Sequence, residues 1–391
     1  MSGITPLPST YPRLRIALYY SCMFGMVGIF QPFFPIWLAD RGLNASEIGL
    51  LLAVASVTRA TANPLIARFA DTREDRKQLV WILCLGGMVT ACAMLPAYGF
   101  WPVLVLTLVH VAVQAPVNPL GENLILLNLQ ARGLDYGRLR AWGSAAFIAT
   151  SMAGGAFLEG RAADWVMYLF IGALGAIFLA ALALPKVIAA PARRERPPLR
   201  SLLSNGFFVL FLICAALNMA SHAVLTGFSS LHWQSAGHSE GMIGFLWAIG
   251  VVSEVMLFAW ARPILDRIGI PGMLILGAAA GVIRWTGTGA STDLLVLVPM
   301  QILHGVTFGA THLGGMTLIQ RHIVPGVSAS AQALYSSLGM GAAMGLTMAA
   351  SGWLYEMLEG HAFWVMAGLS AGSLAVAIAV KRQWDEDVQI G

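Results

Sequence analysis

The stretch Lys186-Val-Ile-Ala-Ala-Pro-Ala-Arg-Arg-Glu-Arg-Pro-Pro-Leu-Arg-Ser-Leu-Leu-Ser-Asn205 is the longest polar run in the chain and lies near its middle. Six apolar runs precede it, near 13–38, 46–69, 79–98, 101–127, 139–158 and 165–185. Six more follow, near 206–231, 241–262, 271–290, 294–319, 328–353 and 362–380. A helix of about 20 apolar residues crosses the hydrocarbon core of a bilayer. Of 391 residues, 58% are hydrophobic and 11% charged, against about 25% charged in a soluble domain. A surface wetted on all sides is thereby excluded. The expectation is an all-α membrane protein of about 12 transmembrane helices in two pseudo-symmetric bundles, 1–185 and 206–391, joined by a cytoplasmic linker 186–205.

Charge supports that layout. Eighteen of the 23 lysines and arginines fall in loops on the side of the N-terminus, two (Arg41 and Arg161) on the other side, and three (Arg59, Arg140 and Arg284) within spans. The positive-inside rule then puts both termini in the cytoplasm, in the plasma membrane, or the inner membrane of a bacterium. The net charge of +4 belongs to these loops and implies no nucleic-acid partner. The four cysteines stand singly in apolar segments, which argues against disulfides and structural zinc. Residues 1–12 lack a small-residue cleavage site, so no removed signal peptide is expected. The halves also resemble one another. Gly42-Leu-Asn-Ala-Ser-Glu-Ile-Gly49 aligns with Gly237-His-Ser-Glu-Gly-Met-Ile-Gly244 at an offset of 195, a register that sets Arg59 opposite Glu254. Repeated halves around a midplane site are a construction plan of secondary transporters.

Charged side chains in a bilayer cost several kcal/mol, so they face a cavity and pair with one another. Here they are Arg59, Glu122, Arg140, Glu254 and Arg284. The fourth span sets Gln114, Asn118 and Glu122 four apart, and the seventh does the same with Asn218, His222, Thr226 and Ser230. The tenth carries Gln301, His304, Thr311 and His312 on one broad face. Polar stripes at helical spacing look away from lipid. For isolated Ser and Thr, helix–helix hydrogen bonding is the plainer account; for the charged residues a functional role is expected. Pro32 and Pro35 in the first span, and Pro116 and Pro119 in the fourth, remove backbone hydrogen bonds and bend helices. They serve either gating or static packing.

Two loops bear on family. Ala67-Arg-Phe-Ala-Asp71-Thr-Arg73-Glu-Asp-Arg76-Lys77 and Pro263-Ile-Leu-Asp266-Arg267-Ile-Gly269 resemble the major facilitator superfamily motif G-x-L-x-D-R-x-G-R-[RK]. The first copy lacks both glycines and the second matches better. The resemblance implies that Asp71, Arg76, Asp266 and Arg267 form a gating motif. Leu134-Asp-Tyr-Gly-Arg-Leu-Arg-Ala-Trp-Gly-Ser144 resembles the corresponding segment of the lactose permease and phenylpropionate permease families. In the former, the second arginine pairs with a glutamate eighteen residues earlier, a spacing matched by Arg140 and Glu122. Arg284, then His304 twenty residues later, and Glu254 resemble that family's coupling region. Its glutamate three residues beyond the histidine is replaced here by Thr307. His232-Trp-Gln-Ser-Ala-Gly237 and Gly250-Val-Val-Ser-Glu254 look most similar to phenylpropionate permeases.

The expected function is proton-coupled uptake of a small organic solute, an aromatic or other organic acid, by alternating access. Arg59, Arg140 and Arg284 would offer charge to a carboxylate, with Asn118, Tyr20, His222 and Trp247 completing the binding set. Tyr19, Phe30, Trp142 and Tyr335 are further candidate walls. With Thr307 in place of the acid, Glu122, Glu254, His304 and His312 are the candidates to carry the proton. A sugar or nucleoside symporter and a drug exporter are the alternatives within transporters. An intramembrane enzyme finds no His-Glu-x-x-His or clustered aspartates, and a channel no filter-like segment. The expected partners are the solute and the bilayer, with a proton as coupling ion, no other cofactor, and a monomeric protein.

Overall fold

A computed structural model of the chain describes residues 4–6, 9–72, 75–189, 199–384 and 390. Residues 190–198 of the expected linker, and Arg73, lie outside the described set. In the first part of the chain the helices are α1 (Pro12–Asp40), α2 (Ala45–Asp71), α3 (Arg76–Met94), α4 (Phe100–Arg132), α5 (Tyr136–Leu158) and α6 (Asp164–Ala183). In the second they are α7 (Gly206–Ser235), α8 (Glu240–Ala259), α9 (Ala261–Ala290) and α10 (Leu294–His322). Pro325–Leu334, Tyr335–Ala342 and Ala343–Leu358 then run on as α11, and Ala362–Arg382 is α12.

Among the described residues, eleven helical stretches are long and apolar enough to cross a membrane. The last of them, Ser330–Arg382, has 53 residues, about 80 Å of helix at 1.5 Å per residue. That is far more than one hydrocarbon core. It turns back at Glu359–His361, where Glu359 adopts φ 48°, so it makes two crossings. The all-α expectation misses one small element. Strand β1 (Ile4–Pro6) pairs antiparallel with β2 (Val187–Ala189), a strap lying on the Val117–Arg132 half of α4.

Local chemistry explains the helix limits. Asp75, Asp135 and Asn205 cap α3, α5 and α7, each side chain accepting a backbone N–H of the first turn. The fourth span breaks at Ala115–Pro116 and the seventh at Ser221–His222. Helix α9 is kinked at Gly269, with φ 68° just ahead of Pro271, a left-handed turn that glycine accepts without a Cβ clash. Two π-helical turns, Gly305–Ala310 in α10 and Tyr335–Ala342 in α11, were not foreseen from sequence.

Contacts divide the chain into two compact units. The first holds Met1–Asn44, Val54–Arg194 and His238–Ala248; the second holds Ala45–Ala53, Glu195–Gly237 and Ile249–Gly391. Within the first, α1 packs on α5 and α6, and α3 on α4 and α6. Within the second, α7 packs on α11 and α12, and α9 on α10 and α12. The same pairing recurs six helices later, the architecture that the short sequence repeat suggests. Each α-helix needs an apolar stripe buried on a neighbour, and large apolar side chains such as Leu179, Leu295 and Leu346 remain exposed on the helix surfaces.

Candidate functional site

Two polar clusters form, one in each unit. In the second unit the hub is Arg284 of α9, wholly buried. Its Nη1 donates to Thr307 Oγ1 and to His304 Nδ1, both at 3.0 Å, and Nη2 donates to Gln301 Oε1 at 3.0 Å. The guanidinium also lies 4.3 Å from the Trp285 ring centroid. Among its described contacts Arg284 meets no carboxylate, and its Nε finds no acceptor. Because arginine only donates, His304 must present a bare Nδ1 and carry its proton on Nε2. That Nε2 points to Glu254 Oε2 of α8 at 3.8 Å. The side chains of His304 and Glu254 retain 18% and 25% exposure, so they form the accessible front of a cluster whose cation sits behind.

Thr307 ties α7 to this hub. The Asn218 carbonyl accepts from His222 Nδ1 at 3.0 Å, leaving His222 Nε2 to face the Thr307 hydroxyl at 3.3 Å. Asn218 Nδ2 donates to the Thr307 carbonyl at 2.8 Å and to Thr311 Oγ1 at 2.7 Å. Thr307 lies in the π-helical turn, and its carbonyl also accepts from Thr311 Oγ1 at 3.1 Å. Trp285 Nε1 donates to Ser221 Oγ at 3.0 Å, fixing the indole under His222, whose ring stands at 88° to it. Glycines let α10 press on α8. A Cβ on Gly305 would lie 2.4 Å from the Ser253 carbonyl oxygen and 2.7 Å from the Glu254 nitrogen. Gly305 N–H also donates to Ser253 Oγ at 3.0 Å. Further along α10, His304, Phe308 and His312 stack nearly parallel, and His312 Nδ1 meets the Tyr335 hydroxyl at 3.4 Å.

In the first unit, Tyr20 of α1 donates its hydroxyl to Glu122 Oε1 at 3.0 Å. Tyr136, one turn ahead of Arg140 on α5, lies close to both Glu122 and Arg140. Arg140 covers the Phe24 ring with its guanidinium carbon 3.7 Å from the centroid, a cation–π contact. We expect Tyr20→Phe to free the Glu122 carboxylate at a cost of about 1 kcal/mol and to lower the rate of solute exchange several-fold. Exchange at wild-type speed in that variant would show that Glu122 needs no such anchor.

Other expected site residues fall outside these clusters. Arg59 is exposed and has no acid among its described contacts; Asn118 is exposed, and Trp247 is buried in α8. Gln114 leaves the stripe with Glu122 because of the break at Ala115, and its side chain presses on Gly87 of α3. Phe30 stacks between Phe34 and Phe170, Tyr19 donates to the Val117 carbonyl, and Trp142 is exposed. The loop acids behave differently from a paired motif. Asp71 closes α2, but its side chain lies outside the described set. Arg76 donates to Asn123 beside Glu122, while Asp75 pairs with Lys186 at 2.6 Å. Asp266 faces Arg262 at 3.9 Å, both exposed, and Arg267 is also exposed. Tyr136, Phe24, Ser253 and the linking role of Thr307 were missed from sequence. A scan for partners one turn from each charged residue or histidine within the spans finds Tyr136 and Thr307.

A model described as the MFS_1 like family matches residues 13–366. An Escherichia coli protein described as a "Probable 3-phenylpropionic acid transporter" is 34% identical over 90% of this chain and 93% of its own length. A maltose permease of Geobacillus stearothermophilus is 25% identical over 94% of each chain. The crystal structure of the nucleoside transporter NupG superposes with a TM-score of 0.82 at 17% identity, covering 95% of this chain and 100% of that one.

Proposed function

Since this chain belongs to the MFS_1 like family, we propose that it takes up a small aromatic or other organic acid together with a proton, by alternating access. Its relatives and its fold are those of secondary transporters of the major facilitator type, not of enzymes, and the apolar helices make it an integral membrane protein. The observation that carries the substrate class is Arg284: a wholly buried cation whose described partners are all neutral. Removing a charge from water costs several kcal/mol unless an opposite charge answers it. A substrate carboxylate answers it. The relative named for 3-phenylpropionic acid supports the same class.

The expected grip on the carboxylate changes with this geometry. Arg284 is enclosed, so it supplies charge from behind, and His304 Nε2 offers the hydrogen bond at the accessible front. Glu122 and Arg140, with Tyr20 and Phe24, form the polar and aromatic group of the first unit. We place the protein in the plasma membrane, a bacterial inner membrane, with both termini cytoplasmic and the monomer as working unit. The charge bias of the loops supports that orientation.

The test is uptake and counterflow in proteoliposomes with 3-phenylpropionate, a disaccharide and a nucleoside as parallel solutes. Saturable, pH-gradient-driven uptake of the acid alone is the expected outcome. Uptake of the disaccharide or nucleoside instead would establish the neutral-solute reading that the maltose permease relative favours.

A further inference from the structure

In the first unit α6 packs against both α1 and α3, and the three helices bring basic side chains to one end. Arg15 lies in the first turn of α1, and its Nη1 donates at 3.4 Å to the carbonyl of Ala183, the last residue of α6. Lys186 follows three residues on. Ahead of it, Asn128 Nδ2 donates to the Pro185 carbonyl at 3.0 Å; behind it, Val187 pairs with Pro6 in the strap. Lys77 opens α3 and lies within electrostatic reach of Asp75, Arg15 and Lys186. Asp75 is the one acid in this group: its Oδ2 meets Lys186 Nζ at 2.6 Å, and its Oδ1 accepts from Lys77 N–H at 3.2 Å. The Arg15 side chain otherwise meets the neutral Thr10 hydroxyl at 3.2 Å. Among the described residues the Lys77 ammonium finds no acceptor. Three cations answered by one acid leave two positive charges over.

We propose that Arg15, Lys77 and Lys186 hold the headgroup phosphate of an anionic phospholipid, at a site that shares no residue with either polar cluster and does not depend on which solute is carried. Position selects a lipid over a free anion. The three cations stand at the ends of membrane-crossing helices, which is the depth of the headgroups. Trp81, one turn beyond Lys77 on α3, meets Phe178 of α6 edge-on with ring centroids 6.4 Å apart; tryptophan marks that interfacial level. Leu18 of α1 and Leu179 of α6 lie one turn deeper than Arg15 and Ala183, and both are exposed. Acyl chains cover these leucines while the phosphate oxygens accept from the guanidinium and ammonium groups above. Basic pockets between transmembrane helices on the cytoplasmic side bind such headgroups, and the loop charges assign this end to the cytoplasm. Cations that serve orientation alone need no fixed geometry. Here the Ala183 carbonyl holds Arg15, and the chain on both sides of Lys186 is paired.

The experiment titrates the whole chain, delipidated in neutral detergent, with phosphatidylglycerol or with phosphatidylcholine of the same acyl chains. Bound lipid is counted by native mass spectrometry, and the melting temperature is read in the same samples. Phosphatidylglycerol is expected to bind at least about tenfold more tightly than phosphatidylcholine and to raise the melting temperature further. Equal binding of the two overturns the proposal. Each basic residue near an anionic surface is worth about fivefold in affinity, so Arg15→Gln/Lys77→Gln/Lys186→Gln is expected to lose at least about twentyfold for phosphatidylglycerol and to bind phosphatidylcholine unchanged. Arg262→Gln/Lys381→Gln/Arg382→Gln removes the same charge from exposed positions of the second unit and is expected to bind like wild type. An equal loss there would show a general attraction, and the proposal fails. Asp75→Asn preserves a capping residue for α3 and removes the rival anion, so phosphatidylglycerol is expected to bind at least about threefold more tightly. A merely structural role for the cluster gives no such gain, and weaker binding in this variant overturns the proposal. Stabilisation by excess inorganic phosphate equal to that by the lipid would make this a free-anion site and overturn the lipid assignment.

Discussion

Replacing Arg284 by alanine is expected to abolish acid uptake, with a fall of more than about a hundredfold in counterflow, while leaving the protein folded. The two effects separate for a physical reason. The substitution orphans His304 Nδ1 and Gln301 Oε1, at about 1–3 kcal/mol for each buried group left without a partner, and takes one of several partners from Thr307 Oγ1. It also removes a wholly buried cation, whose desolvation cost of several kcal/mol disappears with it. The terms oppose one another in stability but not in function, since no charge remains to attract a carboxylate. Arg284→Lys is the sharper test. One ammonium on a flexible stem cannot reach three fixed acceptors as a planar fork does, so the charge survives while the geometry does not. A loss of about tenfold or more is expected for lysine. Counterflow at wild-type rate in either variant, with thermal stability confirming a folded protein, would remove Arg284 from the site.

Gly305→Val is expected to separate Glu254 from His304 and to lower both stability and transport. At Gly305 the approach of α10 to α8 is between backbones: even a single methyl would stand 2.4 Å from the Ser253 oxygen. No side-chain rotation relieves such a clash, so one helix must shift. Overpacking of this kind costs about 1–3 kcal/mol. The hydrogen bond from Gly305 N–H to Ser253 Oγ is lost with the displacement. Because His304 is the neighbouring residue, its 3.8 Å approach to Glu254 opens too. Gly305→Ala should show the same effects at smaller size. A melting temperature and uptake rate unchanged in both would mean that the crossing does not fix the pair.

Much of this molecule was legible before any coordinate. Composition and periodicity give the spans because a bilayer demands long apolar helices. The rarity of charge inside them draws attention to Glu122, Arg140, Glu254 and Arg284. The polar stripe of α7 points to Asn218 and His222, and both do meet Thr307. What escaped has identifiable causes. The motif resemblance draws attention to Asp266 and Arg267 without naming the partner of the acid; Asp266 faces Arg262, one turn back on the helix. The Gln114 stripe fails because helical phase is lost where the helix breaks at Ala115. The π turns carry no compositional mark, so they could not be foreseen. In contrast, Gly305-Val-Thr-Phe-Gly309 is a small-xxx-small pattern. Both of its glycines do face α8, Gly309 against Leu257.

The strap between β1 and β2 has a practical consequence for anyone handling this protein. Ile4–Pro6 is stitched to Val187–Ala189, the stretch that leaves α6, and Ile390 bridges to Ile323 beside the α10–α11 turn. An affinity tag or fluorescent fusion joined directly ahead of Ile4 or behind Ile390 pulls on backbone pairing that belongs to the fold, so purification and labelling are best served by a long glycine–serine spacer.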